Sequence, residues 1–105
     1  MSRGQENPDP AKPLTPGRRA WLERLAQEGP LLNQRPRGPA GIGCMRAGWV
    51  EWEWEGPEGL LGTEAMMALF ERPADSDWFL AREAGWVMTG REQITKAGRD
   101  KLREP

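Results

Sequence analysis

Residues 49–55 read WVEWEWE, and this stretch decides the fold prediction. Large apolar residues alternate with glutamates, so Val50, Trp52 and Trp54 fall on one face of an extended chain and the glutamates on the other. One apolar and one charged face are typical of a strand in an antiparallel sheet that covers a core on one side. We therefore predict a strand over 49–55, followed by a turn at 56–59, which reads GPEG.

The segment before this strand predicts one clear helix, over residues 16–28. Thr15 is a suitable N-cap, and Pro16 occupies the first helical position, where its missing N–H leaves no bond unmade. Apolar side chains then recur at helical spacing, and a Gly-Pro pair follows the last residue. Residues 30–48 contain many glycines and prolines, which leaves two interpretations of 40–47, a short helix or a loop.

The middle of the chain predicts two further helices. One begins at Thr63, a possible N-cap, and must end before Pro73. The other is expected to place Phe79 and Leu80 inward and to end at Gly85.

The last part of the chain predicts a strand and a helix. Residues 86–88 resume an extended pattern, Gly90 favours a turn, and Ile94 closes a return strand. Thr95 is then expected to cap a final helix over 96–102.

Together these elements predict an α+β domain with three to four helices and a small antiparallel sheet. A chain of 105 residues fits one domain. Residues 1–13 contain three prolines and almost nothing apolar, which predicts a disordered tail. We expect residues 14–103 to form the single domain, with 56–85 as an elaborated middle segment.

Several segments resemble small winged-helix proteins of bacteria and phages. The leading helix reads LTPGRRAWLERLA, a basic residue precedes the Gly-Trp-Val at 48–50, and ITKAGRDKL occupies 94–102. In many such proteins the return strand of the wing ends in a hydrophobic-Thr-x-x-Gly-Arg-x-x-Leu motif. The matching residues here are Ile94, Thr95, Gly98, Arg99 and Leu102.

The resemblance implies a winged-helix-like fold, in which 48–50 marks the passage from the recognition helix into the first wing strand. It also implies a DNA-binding, transcription-related role of phage or prophage type. DNA is therefore the first partner that we expect, and a homodimer is left open.

Charge is segregated along the chain, although the formal net charge is only −1. Residues 17–50 carry six arginines against two glutamates, whereas residues 51–83 carry nine carboxylates against two arginines. Arginine suits bidentate contact with phosphate or guanine. We expect several of these arginines to form a nucleic-acid-binding patch, which consists of Arg18, Arg19, Arg35, Arg37 and Arg46. Arg91 is expected to join it from a position near the wing. The alternative is a solvated surface of scattered ion pairs, each of which contributes little.

The acidic block supports a second functional hypothesis. Glu51, Glu53 and Glu55 would form a row of like charges on the exposed face of the strand, with Trp54 and Trp78 as partly exposed neighbours. Such a surface would suit a protein–protein adaptor or inhibitor that docks a basic partner. The same glutamates would also serve to blunt an exposed strand against pairing with another chain.

Several function classes are disfavoured by what the chain lacks. It has no histidine and one cysteine, Cys44, so the commonest general base and metal ligand are missing. The GPAGIG at 38–43 is not followed by the Lys-Ser/Thr of a phosphate-binding loop. We predict a non-enzymatic protein without a cofactor or metal site. A lone cysteine favours a cytoplasmic location, and no apolar run reaches the length of a membrane span.

Overall fold

The computed structural model describes residues 13–32 and 39–104, and it shows an α+β arrangement of helices around one sheet. In chain order the described elements are α1 (Pro16–Glu28), β1 (Leu31–Leu32), α2 (Pro39–Arg46), β2 (Val50–Gly56), β3 (Gly59–Gly62), α3 (Thr63–Ala68), α4 (Phe79–Glu83), β4 (Val87–Ile94) and α5 (Lys96–Arg103). The strands pair antiparallel in the order β1-β4-β2-β3. The α+β class is confirmed, with five helices in the described residues rather than three or four.

Local capping signals explain the two helices predicted with defined bounds. The side chain of Thr15 accepts a hydrogen bond from the Arg18 amide at 3.3 Å, and α1 ends at Glu28, as predicted, with Gly29 after it. The side chain of Thr95 accepts from the Gly98 amide at 3.1 Å and so begins α5. Of the two interpretations of residues 40–47, the short helix is correct, because α2 runs from Pro39 to Arg46.

The middle segment differs from the prediction in three details. An additional strand, β3, pairs with β2, so the GPEG turn closes a hairpin. Thr63 is the first helical residue of α3 rather than its cap. Phe79 and Leu80 are 57% and 41% exposed, because α4 buries the small Ala81 instead.

Strand β4 also departs from the prediction, because Gly90 does not form a turn. The strand runs without a break from Val87 to Ile94, and Gly90 lies within a bulge. A single glycine inside a strand pattern is a known signal for a bulge as well as for a turn.

The buried side chains form two clusters that share the sheet. The first core consists of Leu22, Leu25, Cys44, Ala47, Trp49, Val50 and Ile94. The second core consists of Trp54, Met66, Met67, Ala81 and Trp86. Strand β2 enters both cores, because Val50 packs in the first and Trp54 in the second, while the half-buried Trp52 packs against the second.

The start of α5 is fixed to the corner between α2 and β2 by three contacts, which we call the Thr95 clamp. The Thr95 amide donates to the Trp49 carbonyl at 2.9 Å, and its hydroxyl donates to the Gly48 carbonyl at 2.7 Å. Gly98 lies so close to the Trp49 carbonyl oxygen that a Cβ at this position would overlap it. The clamp therefore joins the two short motifs at 48–50 and 94–102 in direct contact.

Replacing Gly98 by alanine tests this close approach. We expect Gly98→Ala to lower the free energy of unfolding by about 1–3 kcal/mol, because the methyl group must displace the backbone of Trp49 or the whole of α5. Urea unfolding followed by far-UV circular dichroism measures the change.

The matched control is Arg99→Ala, an exposed position on the same helix, which should change stability by less than about 0.5 kcal/mol. Equal stability of Gly98→Ala and the wild type would show that the clamp is looser than described.

Candidate functional site

The candidate nucleic-acid surface is centred on α2, which packs on α1. On the inner side of α2, Gly43 and Cys44 are buried, and the Cys44 thiol lies 3.8 Å from the Arg18 carbonyl oxygen, to which it donates. On the outer side, Ile42 and Arg46 are exposed. They are four residues apart and therefore lie on one face of the helix. This face of α2 is open to a ligand.

Among the predicted arginines that the structure describes, Arg46 is the most available for binding. It lies in the last turn of α2, it is exposed, and it has no ion pair with any residue in 13–32 or 39–104. Its guanidinium can therefore contact a ligand without breaking an ion pair to the described residues.

The other predicted arginines of residues 17–50 either contact neighbouring protein groups or lie outside the described residues. Arg18 donates to the Pro13 carbonyl at 2.9 Å, and its guanidinium lies against Gly43. Arg19 lies 3.8 Å from Glu23 in an exposed pair, which solvent weakens. Arg35 and Arg37 lie outside the described residues, as does most of the predicted tail at 1–13.

Arg91 lies on β4 and is tied to the sheet by Glu53. Its Nε donates to the Glu53 carboxylate at 2.7 Å, and the Thr89 hydroxyl donates to the same oxygen at 2.9 Å. Glu53 is 3% exposed, whereas the side chain of Arg91 is 39% exposed. Arg91 therefore serves first to compensate a buried carboxylate, which would be costly to bury alone.

The bulge in β4 creates this arrangement. Trp52 pairs with Glu92 and Trp54 with Met88, so three residues of β4, Thr89 to Arg91, face the single residue Glu53. Gly90 has a φ of 90°, a backbone conformation that favours glycine. The extra length aims the Thr89 hydroxyl and the Arg91 guanidinium at one carboxylate, as bulges commonly re-aim side chains.

The predicted exposed row of glutamates is wrong for two of its three members. Glu53 is buried, and the half-buried Glu51 accepts from the Glu64 amide at 2.8 Å and from the Gln93 side chain at 3.1 Å. Only Glu55 is exposed. The physical reason is that β2 is an inner strand, so β4 and the start of α3 supply partners for its acidic face.

The expected exposure of Trp54 is also wrong, whereas Trp78 is partly buried as predicted. Trp54 is 0% exposed, and its indole N–H donates to the Thr63 hydroxyl at 2.9 Å. The Trp78 ring meets the Trp54 ring edge-on, with 5.3 Å between centroids. The acidic, tryptophan-rich docking surface predicted on β2 is therefore not presented to solvent in that form.

A second buried carboxylate, Glu92, escaped the sequence analysis. It is 0% exposed, and its Oε1 accepts from the indole N–H of Trp21 at 3.1 Å. This contact joins α1 to β4 across the first core. The sequence around Glu92 alternates poorly between apolar and polar residues, and Trp21 lies 71 positions away, so no local pattern predicted this contact.

Within 13–32 and 39–104, no three Cys, Asp or Glu side chains are grouped so that they could hold a metal ion. In the same residues, no helix combines the length and the apolar character needed to cross a membrane.

On α5, the hydrogen bond from Lys96, with the charges of Lys96 and Arg103, holds the pKa of Asp100 below its ordinary value of 3.8.

Comparison with family models, curated proteins and solved structures finds no match for this chain.

The role of Arg91 in the sheet can be measured directly. We expect Arg91→Ala to lower the free energy of unfolding by about 1–3 kcal/mol, because the Glu53 carboxylate stays buried with fewer donors. The expected loss of stability is moderate because Arg91 is partly exposed, so water replaces part of the hydrogen bonding that Glu53 loses.

A double-mutant cycle with Glu53→Gln isolates the pairwise contribution in denaturant unfolding. The control is Arg72→Ala, an exposed arginine outside the sheet. A destabilisation no larger than that of the control would contradict a structural role for Arg91.

Proposed function

We propose that this chain is a non-enzymatic, winged-helix-like DNA-binding domain, transcription-related in its role, with α2 as the recognition helix. The observation that carries the proposal is the order of elements in chain and sheet. Helix α1 leads through β1 to α2, and α2 leads directly into β2. Strands β2 and β4 then pair antiparallel, as the two strands of a wing would, while β1 lies on the other edge of β4.

The Thr95 clamp adds support from a second direction. The residues that resemble winged-helix proteins lie in separate segments, the Gly-Trp-Val at 48–50 and the motif at 94–102. These segments contact each other through Thr95, Gly98 and the backbone of Gly48 and Trp49. The motif thus has a structural reason, because it fixes the end of the recognition helix relative to the wing strands.

The middle segment 56–85 is then an insertion between the two wing strands. It contains β3, α3 and α4, and it contributes Met66, Met67 and Ala81 to the second core. Its acidic composition disfavours DNA contact, because carboxylates and phosphates repel each other. The proposed DNA surface is therefore limited to the outer face of α2 and its neighbours.

On this surface, Arg46 is expected to contact the phosphate backbone or a base edge. Helix α2 has only eight residues, and a helix of this length spans about 12 Å, which suits insertion of its end into a major groove. Arg35 and Arg37 precede α2 in the sequence and remain part of the proposed patch. Arg18 and Arg19 are also part of the proposed patch, but DNA must compete there with the contacts that Arg18 makes with Pro13 and Arg19 with Glu23.

The experiment is a titration of a fluorescein-labelled random-sequence DNA duplex at several salt concentrations, read by anisotropy. We expect the affinity to fall as salt rises, because contacts to phosphate release counterions. The variant Arg46→Ala should weaken binding and reduce the slope of log K against log salt by about 0.9 for the phosphate contact that it loses.

The control Arg72→Ala removes an exposed arginine from the acidic block and should leave both quantities unchanged. Binding without salt dependence, or equal effects of Arg46→Ala and Arg72→Ala, would reject α2 as the DNA-contacting element.

A further inference from the structure

A cleft of about 660 Å³ lies where the first and second cores meet over β2. Several elements line it. The end of α2 and the start of α5 form one side, and the start of α3 and residues 74–78 form the other. A cleft of this size falls within the range of roughly 300–1,000 Å³ that is usual for ligand sites. We call it the inter-core cleft.

The apolar part of the inter-core cleft is largely aromatic. Trp52 and Trp78 contribute to it together with Met45 and Val50. Both tryptophans are half-buried, so part of each ring faces the cleft. Tryptophan is the side chain most enriched where partners bind, because it offers a large rigid surface.

The two walls carry charges of opposite sign. Arg46 and Lys96 line the side formed by α2 and α5, whereas Glu64 and Asp75 line the other side. Glu51 of β2 also lines the cleft, and its carboxylate already accepts from the Glu64 amide and the Gln93 side chain. Arg46, Glu64 and Asp75 are exposed, and none has a side-chain ion pair among the described residues. Lys96 pairs with Asp100, but its side chain is 88% exposed, so that pair is weak and exchangeable.

The Trp78 side chain is held in place before any ligand binds. Its indole N–H donates to the Ala74 carbonyl at 3.1 Å, and Arg82 lies 5.7 Å from the ring centroid on α4. With the edge contact to Trp54, these interactions leave the ring little freedom. A preformed aromatic surface reduces the entropy lost when a partner binds.

We propose that the inter-core cleft binds a short peptide segment of a protein partner, with an apolar side chain on Trp52 and Trp78 between one acidic and one basic residue. The acidic residue would face Arg46 and Lys96, and the basic residue would face Glu64 and Asp75. A purely anionic ligand such as DNA does not fit, because one wall of the cleft would repel it. This inference does not rest on the proposed DNA binding.

The test uses the full chain labelled with ¹⁵N and a defined set of blocked pentapeptides. The central residue is Trp, Phe, Leu or Met, glycines flank it, and the ends carry Glu and Lys in either order. Matched peptides carry Glu at both ends, Lys at both ends, or glycine at the centre. Titration to 5 mM is followed through the indole N–H signals of Trp52 and Trp78 and the amides of Arg46 and Glu64.

We expect at least one mixed-charge peptide to shift these signals and to bind more tightly than its like-charged counterparts. The preference should be about two- to fivefold for each pair of exposed charges. Replacing the central apolar residue by glycine should abolish the shifts of both indole signals.

Charge reversal gives the sharper result. The double variant Arg46→Glu plus Lys96→Glu makes both walls acidic, so its preference should change to the peptide with Lys at both ends. The control Arg72→Glu plus Arg99→Glu changes the net charge equally at exposed positions that do not line the cleft, and it should keep the wild-type preference. All four positions are exposed, and circular dichroism checks that both variants fold.

Three results would overturn the proposal. One is that no peptide shifts the Trp52 and Trp78 signals up to 5 mM. Another is that the cleft variant and the control variant show the same peptide preference. The third is that a short DNA duplex shifts Glu64 and Trp78 and displaces the peptide, which would make the cleft part of a nucleic-acid surface.

Discussion

Strand β2 must serve two cores at once, and the rest of the described structure follows from this constraint. Val50 packs in the first core and Trp54 in the second. Strand β4 pairs with β2 in both regions, and β3 joins on the other side from Glu53 onward. As an inner strand, β2 also buries Glu53, which then requires donors close by. The bulge in β4 supplies them, because its extra residues direct Thr89 and Arg91 at one carboxylate.

Two buried carboxylates on the sheet connect it to neighbouring elements. Glu53 pairs with the Arg91 guanidinium at the edge of solvent, and Glu92 accepts a hydrogen bond from the indole N–H of Trp21. Each contact ties β4 to another element, β2 in one case and α1 in the other. The polar groups therefore hold specific elements in register, where apolar packing alone would tolerate slippage.

Local signals predicted the helices and strand whose cause is local. The caps at Thr15 and Thr95 and the alternation in 49–55 act within a few residues, so α1, α5 and β2 could be predicted. Strand β3 has four residues, two of them glycines, and its pairing with β2 depends on the hairpin. The burial of Glu53 and Trp54 was mispredicted because their partners come from other elements, and composition alone cannot show which strand lies inside a sheet. At the candidate site, Arg46 could be identified from the sequence, but the contacts of Arg18 with Pro13 and of Arg91 with Glu53 could not.

The division into two cores has a consequence for the native-state dynamics. Helices α3 and α4 have six and five residues, far below the roughly 12–15 residues at which a helix persists alone, so they depend on the packing of the second core. Loosening of that core releases both helices together, while α1 with its 13 residues keeps its own packing in the first core. We therefore expect two cooperative units of unequal stability, in which the second core opens sub-globally while the first stays folded.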